Sequence, residues 1–229
     1  MIFLCLPDTP DVQAVMNEIL PQLKDGQIVV DHSTISPSAT RAIAKQVTKI
    51  GAQFLDAPIS GGDVGARNAT LSIMVGGEES AFHKVEPLLK LMGKTIVHTG
   101  ASGTGQLTKL TNQILVSVTN LAVCEALTFA TSNNLDPQKT IAAIGGGAGS
   151  SWQLSNLGPR MINNDFAPGF MIDLMLKDLR LLQQAQAEAN LNLPATHLVD
   201  DLFKSLVPTH GKSGTQALYL AVKDHAIHS

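Results

Sequence analysis

Apolar and polar positions alternate in blocks along the first hundred residues. Short apolar runs at Ile2–Leu6, Gln27–Asp31 and Gln53–Ala57 are separated by amphipathic runs at Asp11–Leu23 and Pro37–Ile50. This order predicts strand, helix, strand, helix, strand, and so a parallel sheet with crossover helices. Thr9 is the expected cap of the first helix, with Pro10 and Asp11 in its first turn, and Ser36 caps the second ahead of Pro37. Leu71–Val75 and Thr95–His98 read as further strands around a helix over Glu79–Met92.

Beyond Gly105 the period changes. Leu107, Leu110, Ile114, Leu115, Val118, Leu121 and Ala122 recur at helical spacing, which predicts a helix through Ala130 buried on most sides. Shorter helices are expected over Pro137–Ile144, Ser151–Asn163, Asp173–Asn190, Pro194–Leu206 and Gly214–Asp224, with a loop at Gly145–Ser151. The chain therefore reads as α/β followed by all-α, with the boundary near residues 99–105.

Composition narrows the function classes. The chain has 229 residues, 44% hydrophobic and only 4% aromatic, with a net charge of −3. A large core follows, and nucleic acid is not an expected partner, since neither a basic surface nor a stacking platform is present. Charged or polar residues and glycines break the apolar runs short of bilayer length, so no membrane partner is expected. Cys5 and Cys124 both lie in apolar segments and read as buried free thiols in a reducing cytoplasm. The histidines have no metal-like spacing; His83, His98, His197, His210, His225 and His228 read as surface or strand-end residues, and no metal is assigned.

Three stretches carry candidate chemistry. In FLDAPISGGDVGARNATLSIMVGG, Gly61 and Gly62 let a ligand approach the backbone, and Ser60 adds a hydroxyl, a combination suited to a small carboxylate. A turn serving geometry alone explains the same residues. Lys109 sits one turn into the long helix, with Asn112 and Gln113 on nearly the same face. Held among apolar groups, its amine has the lowered pKa a proton shuttle needs, while an exposed lysine near a helix start is the plainer reading. Asp31–Pro37, DHSTISP, lies where a parallel strand ends, the place where ligands of open α/β sheets collect, so Ser33 and Thr34 are candidate ligand contacts. Lys177 and Asp178 read as a structural ion pair with Arg180 or a neighbour, and Trp152 and Phe170 as core packing or pocket walls.

Taken in order, DHSTISP, the Phe54–Gly77 block, GTGQLTKLTNQ and GFMIDLMLKDL resemble the β-hydroxyacid dehydrogenase family, especially its 3-hydroxyisobutyrate dehydrogenases and tartronate semialdehyde (2-hydroxy-3-oxopropionate) reductases. The resemblance spans essentially the whole chain. It implies the carboxyl-terminal part of a Rossmann-type domain (1–101) followed by a 6-phosphogluconate-dehydrogenase-like helical domain (102–229). It also implies reversible hydride transfer between NAD or NADP and a small β-hydroxyacid or its semialdehyde. Matched by motif, Lys109 is the acid/base, Ser60, Gly61 and Gly62 hold the substrate carboxylate, and Asn112 or Gln113 orients the reacting group. Thr34 matches the nicotinamide side of the cofactor site, Lys177 the family's cofactor-binding lysine, and Phe170 lies nearby. A homodimer or homotetramer through the helical domain is implied as well.

The family's amino-terminal G-x-G-x-x-G turn has no counterpart here, and the chain opens at what resembles the fourth strand of that domain. About sixty residues, two units of roughly thirty, are expected to be missing, leaving an exposed sheet edge and weak cofactor contacts. A non-catalytic assembly or ligand-binding homologue is therefore the alternative. Ala69 stands where a glycine often precedes the threonine, and Gln113 where some relatives carry a second asparagine.

Overall fold

A computed structural model describes the backbone of residues 1–228 and the side chains of 1–226, so the side chain of His228 lies outside the described residues. The chain forms two compact units, Met1–Asn112 with Arg180–Leu191, and Gln113–Leu179 with the chain from Asn192 onward.

The first unit holds β1 (Ile2–Leu4), α1 (Thr9–Ile19), β2 (Ile28–Asp31), α2 (Pro37–Thr48), β3 (Gln53–Asp56), β4 (Ile59–Ser60), α3 (Gly62–Arg67), β5 (Leu71–Gly76), α4 (Glu79–Leu89) and β6 (Gly93–Gly100). It ends in the first turns of a 29-residue helix, α5 (Thr104–Ser132). The strands run β1-β2-β3-β5-β4, with β6 also on β5. The first three strands are parallel, as the block pattern predicts. β5 then turns antiparallel to β3 and β4 and parallel to β6, which makes the sheet mixed. The connection from β3 runs through β4, which pairs antiparallel with β5, and the short helix α3 turns the chain back between them.

Alternation along β2 assigns the two faces of this sheet. Val29 joins Val12, Met16, Ile43, Val47 and Phe54 beneath α1 and α2. Ile28 and Val30 join Leu55, Ile73, Val75, Phe82 and Val85 beneath α4. Both faces are covered, so all four residues of β2 are buried.

Local chemistry fixes the helix starts. Asp8, not Thr9, caps α1, in a reciprocal box with Asp11. The Thr9 hydroxyl instead accepts the N–H of Ser36 at 3.0 Å. Ser36 caps α2 through the Ala39 N–H, as expected. β1 is an end strand of the sheet, and Phe3 on it is 42% exposed. Cys5 follows where the chain leaves the sheet and is exposed, which corrects its expected burial; Cys124 is buried. Partial desolvation and the nearby Asp31 carboxylate raise the Cys5 thiol pKa.

The second unit holds the rest of α5, then α6 (Pro137–Ile144), α7 (Trp152–Asn156), α8 (Gly158–Ile162), the first half of α9 (Ile172–Glu188), α10 (Pro194–His210) and α11 (Leu218–His228). The helix expected over Ser151–Asn163 is split in two, because Pro159 lacks the N–H that would continue it. Trp152, at its start, is exposed rather than part of the core.

The face of α5 also differs from expectation. Leu110, Leu121, Cys124 and Leu127 are buried, but so are the polar Gln113, Ser117 and Asn120, while Leu107, Leu115 and Phe129 are exposed. The side chain of Asn120 donates to the Thr215 carbonyl at 2.7 Å, which shows how a polar residue is accommodated on the buried stripe. By length and composition α5 is apolar enough to cross a membrane, a property shared by core helices of soluble proteins.

Candidate active site

The site in the first unit is organised by the end of β3 and the start of α5. Asp56, the last residue of β3, is fully buried, and its carboxylate accepts the Gly103 N–H at 2.8 Å and the Gln106 N–H at 2.9 Å. The Gln106 N–H lies in the first turn of α5, where helix donors lack partners of their own, and Gly103 immediately precedes that helix. Burial pushes the Asp56 pKa up to about 6, with these N–H bonds pulling the other way. Glycines make room for the carboxylate: a Cβ on Gly76 would lie 2.7 Å from one of its oxygens.

With the first turn fixed, the next residues of α5 face fixed directions. Gln106, Lys109 and Asn112 follow at intervals of three and share one ridge of the helix. The Gln106 amide donates to the Ser33 carbonyl at 2.8 Å and accepts the Ile35 N–H at 3.1 Å. At the other end of the ridge, Asn112 Nδ2 lies 3.5 Å from Ser60 Oγ, a long hydrogen bond. Lys109 thus sits between the residue that grips the Thr34 turn and the residue that reaches the Ser60 turn. It is 6% exposed, which sets aside the reading of a solvated surface lysine.

Thr34 is half-buried at the carboxyl end of β2, between the two peptide groups held by Gln106. Its neighbour Ser33 donates its N–H to Asp31 Oδ1 at 2.9 Å and accepts the Leu6 N–H on its hydroxyl at 2.8 Å. These bonds tie the carboxyl ends of β1 and β2 together. His32 is buried beside them with Nδ1 2.7 Å from the Ala57 carbonyl, and its ring stacks on Phe3. A carbonyl partner requires Nδ1 to carry the proton, and desolvation lowers the ring's pKa, so His32 is neutral.

Ser60 ends β4, and Gly61 and Gly62 follow with φ of +133° and +62°. Side chains are strained at both values, so geometry alone requires the glycines, whatever else the turn binds. The turn leads into α3 rather than directly into a strand.

The other sequence-derived residues lie in the second unit. Gln113 donates to Asp178 Oδ2 at 2.6 Å, and the other oxygen of Asp178 pairs with Lys177 at 2.7 Å. Arg180, an expected partner of that pair, instead bonds Asp8 within the first unit. Phe170 is half-buried in the loop before α9, its carbonyl accepting the Thr215 N–H at 3.0 Å.

Asp56 and Gln106 carry much of this arrangement and are not singled out by sequence reasoning. The available signals are slight: an aspartate closing a buried strand, and a glutamine one turn before the lysine.

Comparison with known proteins shows the family to which the chain is similar. Residues 1–100 match the family described as the NAD binding domain of 6-phosphogluconate dehydrogenase. Residues 103–222 match that described as NAD-binding of NADP-dependent 3-hydroxyisobutyrate dehydrogenase. The chain is 44% identical to a 2-hydroxy-3-oxopropionate reductase of Escherichia coli (strain K12), over 92% of this chain and 73% of the relative. It is 37% identical to a 2-(hydroxymethyl)glutarate dehydrogenase of Eubacterium barkeri, over 89% of this chain and 69% of the relative. Among solved structures, a 3-hydroxyisobutyrate dehydrogenase of Mycobacterium tuberculosis with L-serine superposes with a TM-score of 0.89 at 31% identity, covering 99% of this chain and 79% of that one.

Proposed function

The chain belongs to the β-hydroxyacid dehydrogenase family and is an NAD(P)-dependent hydroxyacid dehydrogenase, and from that premise we propose that it interconverts a small β-hydroxyacid and its semialdehyde, of the 3-hydroxyisobutyrate or tartronate semialdehyde type, with Lys109 as the acid/base. The observation that carries this reading is the ridge of α5: a buried lysine between a residue that grips the Thr34 turn and one that reaches Ser60.

The residues fit the nicotinamide end of a dinucleotide. Thr34 lies at the carboxyl end of a parallel strand, where such ligands gather, between two peptide groups held in place. Bound NAD(P)H supplies the hydride that reduces the carbonyl carbon, and NAD(P)⁺ accepts it in the reverse direction. The Lys109 ammonium gives its proton to the carbonyl oxygen during reduction. In oxidation the neutral amine takes the hydroxyl proton.

The Ser60 hydroxyl and the backbone of Gly61 and Gly62 hold the substrate carboxylate, and Asn112 orients the reacting group from the same ridge. In the second unit Gln113 is oriented by Asp178, whose other oxygen pairs with Lys177. Residues 1–101 form the cofactor domain and residues 102–229 the substrate and dimerisation domain. The exposed apolar residues of α5, Leu115 at 65% and Phe129 at 69%, favour a homodimer or homotetramer through the helical domain. Two unpaired cysteines favour a reducing, cytoplasmic location.

The test is turnover of 3-hydroxyisobutyrate, glycerate, 4-hydroxybutyrate and the matching semialdehydes with NAD(H) and NADP(H). The reading expects one three- or four-carbon hydroxyacid to be strongly preferred. Equal rates on hydroxy compounds lacking a carboxylate would defeat it.

A further inference from the structure

We propose that Gln106 is a positioning residue for hydride transfer, holding the peptide groups on both sides of Thr34 against the helix that carries Lys109. The inference rests on the reading of Thr34 and Lys109 given above and adds the element that sets one relative to the other.

A carboxamide has one acceptor oxygen and two N–H donors, so a single glutamine can satisfy a carbonyl and an N–H together. Gln106 does so across one residue, bonding the Ser33 carbonyl and the Ile35 N–H that flank Thr34. Both peptide planes around Thr34 are fixed, and so is the direction of its side chain. The clamp is itself anchored. Gln106 is fully buried, and its own N–H is held by Asp56 Oδ2, so its backbone cannot slide along the helix. Lys109 is one turn further along the same ridge. One buried chain of bonds therefore runs from β3 through Asp56 and Gln106 to the Thr34 turn, and the helix it fixes carries the acid/base. An error of about 1 Å in such an arrangement is enough to cost about a hundredfold in rate.

A structural role alone would also use these bonds, so the test separates geometry of reaction from stability. Gln106→Met keeps length and removes both hydrogen-bonding groups. Gln106→Glu keeps the acceptor for Ile35 and sets oxygen against the Ser33 carbonyl. Hydrogen exchange is measured on the chain without cofactor, NAD(P)H affinity by calorimetry, and kcat and KM at saturating cofactor.

In the parent chain the Ile35 amide is expected to exchange slowly; fast exchange overturns the clamp at once. In Q106M that amide exchanges at least about tenfold faster, as loss of one buried bond predicts, and NAD(P)H binds more weakly. The kcat falls by about tenfold or more while the hydroxyacid KM stays within about twofold, the pattern of lost transition-state alignment. In Q106E the Ile35 amide stays slow and kcat falls by an intermediate factor.

A folded Q106M with kcat within about twofold of the parent overturns the proposal. If Q106M does not fold, Q106E decides: parental kcat there overturns it. Lys109→Ala assayed alongside keeps the two ideas apart. Activity surviving in K109A defeats the acid/base assignment, whereas a silent K109A beside a fully active Q106M defeats the clamp.

Discussion

Gly105→Ala is the substitution whose effect follows most directly from the packing around the start of α5. Gly105 is the second residue of that helix, and at an ordinary helical position alanine would stabilise by about 1 kcal/mol over glycine. Here a Cβ would press closest on the Met74 carbonyl oxygen and lie 2.6 Å from the Asp56 carbonyl oxygen and 2.8 Å from Asp56 Oδ2. Two of these neighbours are backbone, on β5 and β3, and cannot swing aside. The first turn of α5 has to move instead. Overpacking of this kind costs about 1–3 kcal/mol. The shift also strains the two N–H bonds to a buried carboxylate, for about 1–3 kcal/mol more. After the helix-propensity gain is subtracted, the net loss is about 1–5 kcal/mol. Urea unfolding followed by far-ultraviolet circular dichroism measures it, with Gly146→Ala as control because a Cβ there meets nothing within 4 Å. A G105A protein as stable as the parent would refute the packing argument for the start of α5.

Three further outcomes are expected. Asp56, whose pKa burial raises from 3.8 to about 6, binds its proton more tightly folded than unfolded. Its contribution is fully present below pH about 4 and is lost as pH rises to about 6, by roughly 3 kcal/mol. Urea midpoints across pH 4–7 should show this slope in the parent but not in Asp56→Asn; equal slopes would contradict it. Ala69 adopts φ +52°, so Ala69→Gly should stabilise by about 0.5–1 kcal/mol, since relief of a left-handed alanine outweighs the added chain entropy; a lower melting temperature would count against it. Ser60→Ala should raise the hydroxyacid KM by about tenfold, the loss of one hydrogen bond to a charged group, with cofactor affinity unchanged in calorimetry.

Local signals predicted local structure well, and pairing decided the rest. Apart from β4 and α3, which lie in a stretch that reads as a turn, the strands and helices up to Gly100 follow from block periodicity, because each is encoded within about a dozen residues. The antiparallel placement of β5 is not, since direction depends on which strand it meets, and its partner residue to Asp56 is Gly76. Cys5 lies in an apolar run yet is exposed, because it sits just beyond a three-residue end strand. On α5 the apolar spacing pointed to Leu107 and Leu115, while the structure buries Gln113, Ser117 and Asn120. Gln113 and Asn120 donate to Asp178 and to the Thr215 carbonyl, and Ser117 to the carbonyl one turn back, although Asn120 Oδ1 is buried without a partner among the described residues; apolar periodicity registers none of these bonds.

The candidate site divides in the same way. Ser60, Gly61, Gly62 and Lys109 stand out by residue type and spacing. Asp56 and Gln106 do not, because their bonds reach Gly103, Ser33 and Ile35, between 47 and 73 residues away in sequence. Glycine in the Ser60 turn is demanded by backbone angles, so its presence alone argues nothing about substrate. Asn112, three residues beyond the buried Lys109 on α5, reaches Ser60, and it is this contact that links the turn to the proposed chemistry.

The central claim is that Lys109 moves the proton. Single-turnover oxidation of the preferred hydroxyacid by Lys109→Ala, with NAD(P)H binding measured on the same protein, tests it most directly. The account predicts a rate lower by about 10²–10⁴-fold with the cofactor still bound. A K109A protein that reduces NAD(P)⁺ at the parental rate would contradict it.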